Sequence, residues 1–225
     1  MIWACLQSGA CEPALNMAWD EALLEAMPRL QQVVLRFYSW TEPAATFGYF
    51  QKHNEVQRLT LLRPLVRRPT GGGIVPHDAD WTYSLAVPPS DPWYSLTAVR
   101  SYHRIHDWIR RGFAGLGVSC VLAPQALQSG PGQCFVGYEQ YDLLWGGRKI
   151  AGAAQRRSLS GLLIQGSVQP PAADCCRSEW ESSMRQTAAA GGLQWKMFDP
   201  DSLLLRRVRE LALSKYSRDE WNCKK

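Results

Sequence analysis

Three groups of residues carry side chains whose types and spacing can do chemistry. The first is Arg67-Arg68-Pro69-Thr70-Gly71-Gly72-Gly73-Ile74-Val75-Pro76-His77-Asp78. Three consecutive glycines cost more chain entropy than any other tripeptide, so a globular chain keeps them where backbone takes positive φ or approaches another surface closely. Two arginines before the run and a His-Asp pair after it set donors and titratable groups at both mouths, which favours a ligand as that surface over a plain glycine-rich turn. A P-loop is excluded, because Ile74 follows the last glycine where Gly-Lys-Ser/Thr would be needed. The second group is Cys134, in a loop rich in Gln, Gly and Ser, and the third is Lys149, just after Gly146-Gly147. A thiol beside an ammonium ionises more readily, a thiolate attacks thioesters, and a fixed cation steadies the carbonyl oxygen. Taken alone, Cys134 is equally a small buried hydrophobe and Lys149 a solvated strand lysine.

Elements must hold these groups. Residues 65–68 deliver the chain to the glycine run, and 81–87 alternate as a half-buried strand that Pro88-Pro89 ends, so the glycine loop joins two strands. Residues 33–40 and 45–50 read as paired strands around the breaker Glu42-Pro43. Residues 138–145 and 148–156 flank Gly146-Gly147, a two-residue hairpin signal that puts Lys149 at a strand start. Further strands are predicted at 118–123 and 162–168, with a loop over 124–133. Helical spacing of Leu15, Ala18, Trp19, Ala22, Leu23 and Ala26 predicts a helix over 13–27, begun by Pro13 and stopped by Pro28, with Asn16, Asp20 and Glu21 on its polar, solvated side. Ser95 is placed to cap a second helix through Val99, Tyr102, Ile105, Ile109 and Phe113, ended by Gly115 and Gly117. It carries His103 and His106, whose i, i+3 spacing without a carboxylate partner reads as structural, and no metal site is expected. After Pro170-Pro171 the pattern turns polar and helical, with Asp199 as a cap before Pro200 and a charged, frayed end. The sum is an α+β chain, helices packed on a mixed, largely antiparallel sheet.

Composition bounds the function classes. The chain has 225 residues, a net charge of +5 and seven cysteines. The cysteines are odd in number and scattered, with only Cys175-Cys176 adjacent and no CxxC, which argues against a disulfide framework or a zinc ribbon. No run of about 18 apolar residues is present to span a bilayer, and the N-terminus lacks the basic and apolar regions of a signal peptide. A cytoplasmic monomer is expected, away from membranes. The mild positive charge is not organised into basic-aromatic stripes, so nucleic acid is not expected, whereas an acidic protein partner is compatible.

The motifs converge on a family. The stretches 16–24, 35–40 and 47–51, the run from Arg67 to Asp78, and Lys149-Ile150-Ala151-Gly152-Ala153-Ala154-Gln155-Arg156-Arg157 followed by Gln165-Gly166-Ser167 together resemble the lipoate-protein ligase A and octanoyltransferase family. The resemblance covers about residues 12–170 in the right order, far more specific than any single motif. It implies the biotin/lipoate protein ligase catalytic-domain fold over one domain, 1–225, whose helical part 171–225 is followed by no accessory domain. It also implies an acyl-binding slot formed by Arg68, Thr70, Gly71, Gly72, Gly73, His77, Gly152 and Ala153, with Lys149 at the acyl carboxyl end.

The family divides into ATP-dependent ligases, which form a lipoyl-adenylate, and acyltransferases that pass octanoyl or lipoyl groups through a cysteine thioester. Cys134-Phe135 resembles the nucleophile position of the LipM-type octanoyltransferases, which implies the transferase with Cys134 and Lys149 catalytic. Cys175 and Cys176 are weaker candidates, matching the late cysteine of LipB-type transferases only by general location. Gly73 stands where many octanoyltransferases carry arginine and Ala153 where serine is common; the former leans towards a ligase-like pocket. The implied donor is acyl carrier protein or the acylated glycine-cleavage H protein, and the implied acceptor a lipoyl domain of H protein or of a 2-oxoacid dehydrogenase E2. No tightly bound cofactor is expected; ATP and Mg belong to the ligase alternative. A non-catalytic lipoate- or octanoate-binding paralogue is a third reading.

Overall fold

Along the first strand, β1 (Ile2–Cys11), Trp3 and Cys5 enter one hydrophobic cluster while Ala4 and Leu6 enter another, so the strand is buried on both faces. The computed structural model describes residues 1–128, 137–171 and 173–224. After β1 come helix α1 (Pro13–Leu30), strands β2 (Val34–Trp40) and β3 (Ala44–Phe47), a one-turn helix α2 (His53–Val56), and strands β4 (Leu65–Arg67), β5 (Val75–His77) and β6 (Trp81–Val87). Helix α3 (Ala98–Ala114) leads to the short strands β7 (Val121–Leu122), β8 (Leu127–Gln128) and β9 (Gly137–Tyr138), then to β10 (Leu143–Trp145), β11 (Arg148–Ser158) and β12 (Gly161–Val168). Helix α4 (Arg177–Ala190), strand β13 (Gln194–Met197), helix α5 (Ser202–Leu211) with a π-helical continuation (Ala212–Tyr216), and helix α6 (Asp219–Asn222) follow.

The large sheet runs β13-β1-β2-β6-β12-β11-β10-β7, parallel at its β13-β1-β2 edge and antiparallel from there on. Helices α3 and α4 cover one face, burying Ile105, Trp108, Ile109, Phe113, Trp180 and Met184 against Leu35, Phe37, Trp81, Tyr83 and Leu85. Helices α1 and α5 cover the other, with Met17, Ala18, Leu23, Leu204 and Val208 against Val34, Tyr38 and Ala86. Each large apolar side chain buried in this way contributes about 1.5–3 kcal/mol. A small sheet, β4-β3-β5, carries the glycine run between β4 and β5. The α+β, largely antiparallel architecture is the one expected.

Several local expectations are corrected. Strands β2 and β3 do not pair; β2 lies between β1 and β6 in the large sheet, and β3 belongs to the small one. Helix α1 runs through Pro28 to Leu30, because a proline in the last turn forfeits one backbone bond rather than a whole ladder. Asn16, Asp20 and Glu21 are buried rather than solvated, each matched by polar partners inside the protein. Thr97, not Ser95, caps α3, and Asp201, not Asp199, caps α5 by accepting from the Leu204 N–H at 2.8 Å. The described end of the chain is clamped rather than frayed, since Arg67 donates to the carbonyls of Trp221, Asn222 and Lys224 at 2.7–3.2 Å. Gly146 and Gly147 both take positive φ, 56° and 77°, as the expected two-residue turn into β11 requires.

Candidate functional site

The glycine run is shaped from below by Arg68. Its buried guanidinium donates to the Gly71 carbonyl at 2.5 and 3.0 Å and to the Gly73 carbonyl at 2.7 Å, so the loop is latched to its own strand. Thr70 donates its hydroxyl to Gln165 Oε1 at 2.8 Å, tying the loop to β12. The three glycines do different work. Gly72 has φ of 86°, which only glycine adopts without cost, and its carbonyl presses on Gly48 so closely that a Cβ there would lie 1.9 Å from the oxygen. A Cβ on Gly71 would meet nothing within 4 Å. The closest approach at this loop is therefore to the chain's own backbone at Gly48.

Beneath the loop lies a cleft lined by Met17, Tyr38, Thr46, Arg68, Gly72, Val75, His77, Thr82, Lys149, Gly152, Ala153, Ala154, Gln165, Gly166 and Ser167. Its strand floor pairs Gly152 with Ser167, Ala153 with Gly166 and Ala154 with Gln165, so small residues face the space on β11. Methylene groups lying on such backbone each bury about 0.8 kcal/mol of transfer free energy.

Lys149 is almost fully buried at the cleft wall, with its ammonium 2.6 Å from Asp142 Oδ2. The lysine stem crosses Gly152, where an added Cβ would sit 2.7 Å from Cε and 2.9 Å from Nζ. On the opposite side, His77 Nδ1 meets Asp80 Oδ2 at 2.9 Å and Nε2 meets the Thr46 hydroxyl at 2.8 Å, with the ring stacked on Trp40 at 3.9 Å. Both ring nitrogens of His77 are thus held by polar partners inside the protein. Asp80 Oδ2 also accepts from Thr82 and Ser167. Below the floor, Gln165 donates to Asp20, whose carboxylate accepts from Arg36, Tyr38 and Ser84 as well. Burial first, and the Asp20 charge next, hold the Tyr38 phenol well above its ordinary range, so it stays a donor.

Among the expected residues, Arg68, Gly72, His77, Lys149, Gly152 and Ala153 line this one cleft, while Thr70, Gly71 and Gly73 shape the loop without lining it. Cys134 lies outside the described residues. Cys175 and Cys176 do not line the cleft; Cys176 is exposed and caps α4 in a capping box with Glu179. His106 is buried in α3 and its Nδ1–H donates to the Tyr102 carbonyl at 3.0 Å, in keeping with a structural histidine. No cluster of metal-ligating residues occurs among the described residues, and no described helix is long and apolar enough to cross a membrane. Sequence reasoning did not single out Met17, Tyr38, Thr46, Val75, Thr82 or Asp142. Met17, Tyr38 and Val75 lie within the stretches that carry the resemblance without being named as site residues, and Thr46, Thr82 and Asp142 show only as polar residues inside or beside an apolar strand pattern.

Residues 12–169 match the family model described as lipoyl protein ligase A/B catalytic domain. Octanoyltransferase LipM of Geobacillus kaustophilus is 38% identical over 181 residues, which is 74% of this chain and 65% of that relative. The chain thus spans about 65% of the length of this curated relative. Among solved structures, a putative lipoate protein ligase from T. acidophilum superposes with a TM-score of 0.82 at 21% identity, over 99% of both chains. A bi-partite lipoate protein ligase of Thermoplasma acidophilum, described together with its E2 lipoyl domain, gives a TM-score of 0.77 at 18% identity, covering 99% of this chain and 96% of that one. These two likenesses establish the fold.

Proposed function

This chain belongs to the lipoyl protein ligase A/B catalytic-domain family, and from that premise we propose that it transfers an octanoyl or lipoyl group through a cysteine thioester to a lysine of a lipoyl domain. The observation that carries the reading is Lys149, laid over Gly152 into the wall of a cleft whose floor is built from small residues. The acyl chain lies along Gly152, Ala153 and Ala154 under the Gly72 loop, and its carbonyl oxygen faces the Lys149 ammonium. Cys134, assigned by the family resemblance, attacks the donor thioester; its sulfur–carbon bond forms as the donor's breaks, and the carrier leaves as a thiol. The acceptor amine then attacks the same carbonyl, the amide bond forms, and the Cys134 sulfur departs with the proton that the amine gives up. Acyl carrier protein or acylated H protein is the donor in this reading, and H protein or an E2 lipoyl domain the acceptor. The route needs no tightly bound cofactor.

Incubation with an octanoyl-carrier protein followed by intact-mass measurement tests this. A covalent octanoyl adduct that disappears in Cys134→Ser, and transfer to a lipoyl domain without ATP, are expected. Transfer only from free acid plus ATP would replace the reading by the ligase, towards which Gly73 leans. Binding of octanoate with neither reaction would leave a non-catalytic paralogue.

A further inference from the structure

The Asp142 carboxylate is fully buried, and removing a carboxylate from water costs several kcal/mol unless donors surround it. Donors do surround it. Oδ2 faces the Lys149 ammonium at 2.6 Å and accepts from the Glu139 N–H at 2.7 Å, while Oδ1 accepts from the Tyr102 phenol. Burial first, and then the Asp142 charge, hold that phenol well above its ordinary range and keep it a donor. The three side chains come from three places: Tyr102 from α3, Asp142 from the turn before β10, and Lys149 from β11.

The backbone is bent to deliver the carboxylate. Tyr141 has φ of 72°, a left-handed conformation that costs a non-glycine residue on the order of 1 kcal/mol. It is held by two backbone bonds at 2.8 Å, Tyr141 N–H to the Ala123 carbonyl and Ala123 N–H to the Asp142 carbonyl. Strain of this kind persists where the surroundings over-determine it, and here it sits beside a buried charge at the cleft wall. The bare backbone of Gly152 lets the lysine stem lie against the strand, and a Cβ there would come within 3.3 Å of Asp142 Oδ1 as well.

We propose that Asp142 and Tyr102 are positioning residues that fix Lys149 as a stationary cation in the cleft wall, with Gly152 as the clearance that lets it lie there. The inference rests on the acyl-transfer reading above for its consequence, but not for its geometry. Lys149 then supplies charge at a set point, while the departing Cys134 sulfur takes the proton lost by the acceptor amine. An octanoyl carbonyl is stabilised only if the ammonium is already in place when negative charge develops.

Two variants that keep side-chain shape test this, Asp142→Asn and Tyr102→Phe, with Lys149→Ala for reference. Asp142→Asn is expected to lower kcat about 10²-fold and Tyr102→Phe about 10-fold, with each KM within about threefold of wild type. Combined with Lys149→Ala, Asp142→Asn is expected to cost no further rate, because both act on one charge. A second readout is independent of transfer: acetylation of Lys149 by acetic anhydride, followed by peptide mass spectrometry, is expected to accelerate in both variants. Wild-type kcat in both variants, or an undiminished loss from Asp142→Asn in the Lys149→Ala background, would overturn the positioning role. If wild-type protein transfers no acyl group, the functional reading fails by itself, and unchanged Lys149 labelling in folded Asp142→Asn would then refute the clamp separately. Should Asp142→Asn not fold, Tyr102→Phe decides by the same two readouts.

Discussion

Two buried acid–cation pairs flank the cleft, and they are built to opposite ends. Arg36 and Asp20 are both fully buried, and the guanidinium is used up inside the protein: it donates to Ser8 Oγ, to the Asn16 carbonyl and side-chain oxygens, and to Asp20, with Tyr38 beneath its plane at 3.9 Å. Lys149 and Asp142 are nearly as buried, yet the lysine reaches the cleft wall from a strand on which Gly152 leaves it room. A planar, five-donor cation suits the first place and a compact ammonium on a flexible stem the second. Burial and pairing alone therefore do not identify a working charge. Access to the cleft distinguishes the two.

The largest expected effect tests the closed pair. Arg36→Met leaves Asp20 buried without its cation, and a loss of about 3–5 kcal/mol is expected in chemical denaturation. A loss below about 1 kcal/mol would mean that the Asp20 cluster tolerates neutralisation and that the contrast is misplaced. Next comes Lys149→Ala, expected to cut octanoyl transfer about 10²-fold or more while destabilising the fold less than Arg36→Met does. Equal stability losses with intact transfer would turn the Lys149 pair into a second structural one.

A pH effect belongs to the same side of the molecule. His106 packs against Tyr102 and is pushed down from 6.5 to about 4, by burial above all, with Asp142 opposing and Lys149 and His103 adding to the shift. Between these values the unfolded chain binds a proton that the native one does not, so stability rises with pH across that window and is lost as pH falls through it. The loss is about 3 kcal/mol, from a shift of this size at 1.36 kcal/mol per unit. Thermal melts of His106→Phe against the parent check it; an unchanged acid slope in the variant would assign the sensitivity elsewhere. The smallest effect sharpens the comparison most. Gly152→Ala is expected to displace the Lys149 stem and reduce transfer about 10-fold with little change in melting, because a flexible side chain yields where backbone would not. Undiminished transfer would show that the lysine needs no fixed path.

Local chemistry in the sequence was enough for several of the elements, though not for β1 or β13, and for part of the site. Gly146-Gly147 announces the turn that starts the Lys149 strand, apolar spacing marks α1 and α3, and the glycine run with Arg68 and His77 marks one wall of the cleft, since each signal depends only on neighbouring residues. Tertiary structure decided what those residues touch. Asn16, Asp20 and Glu21 read as a solvated face because a one-dimensional pattern does not show that Arg36, Lys215, Tyr216 and Arg156 converge on them from β2, the π-helical turn and β11. Asp142 was silent for the same reason: its partners Tyr102 and Lys149 lie 40 residues before it in the chain and on the next hairpin strand. A buried charge is stable only among donors supplied by distant segments, so its place becomes visible only when the fold brings those segments together.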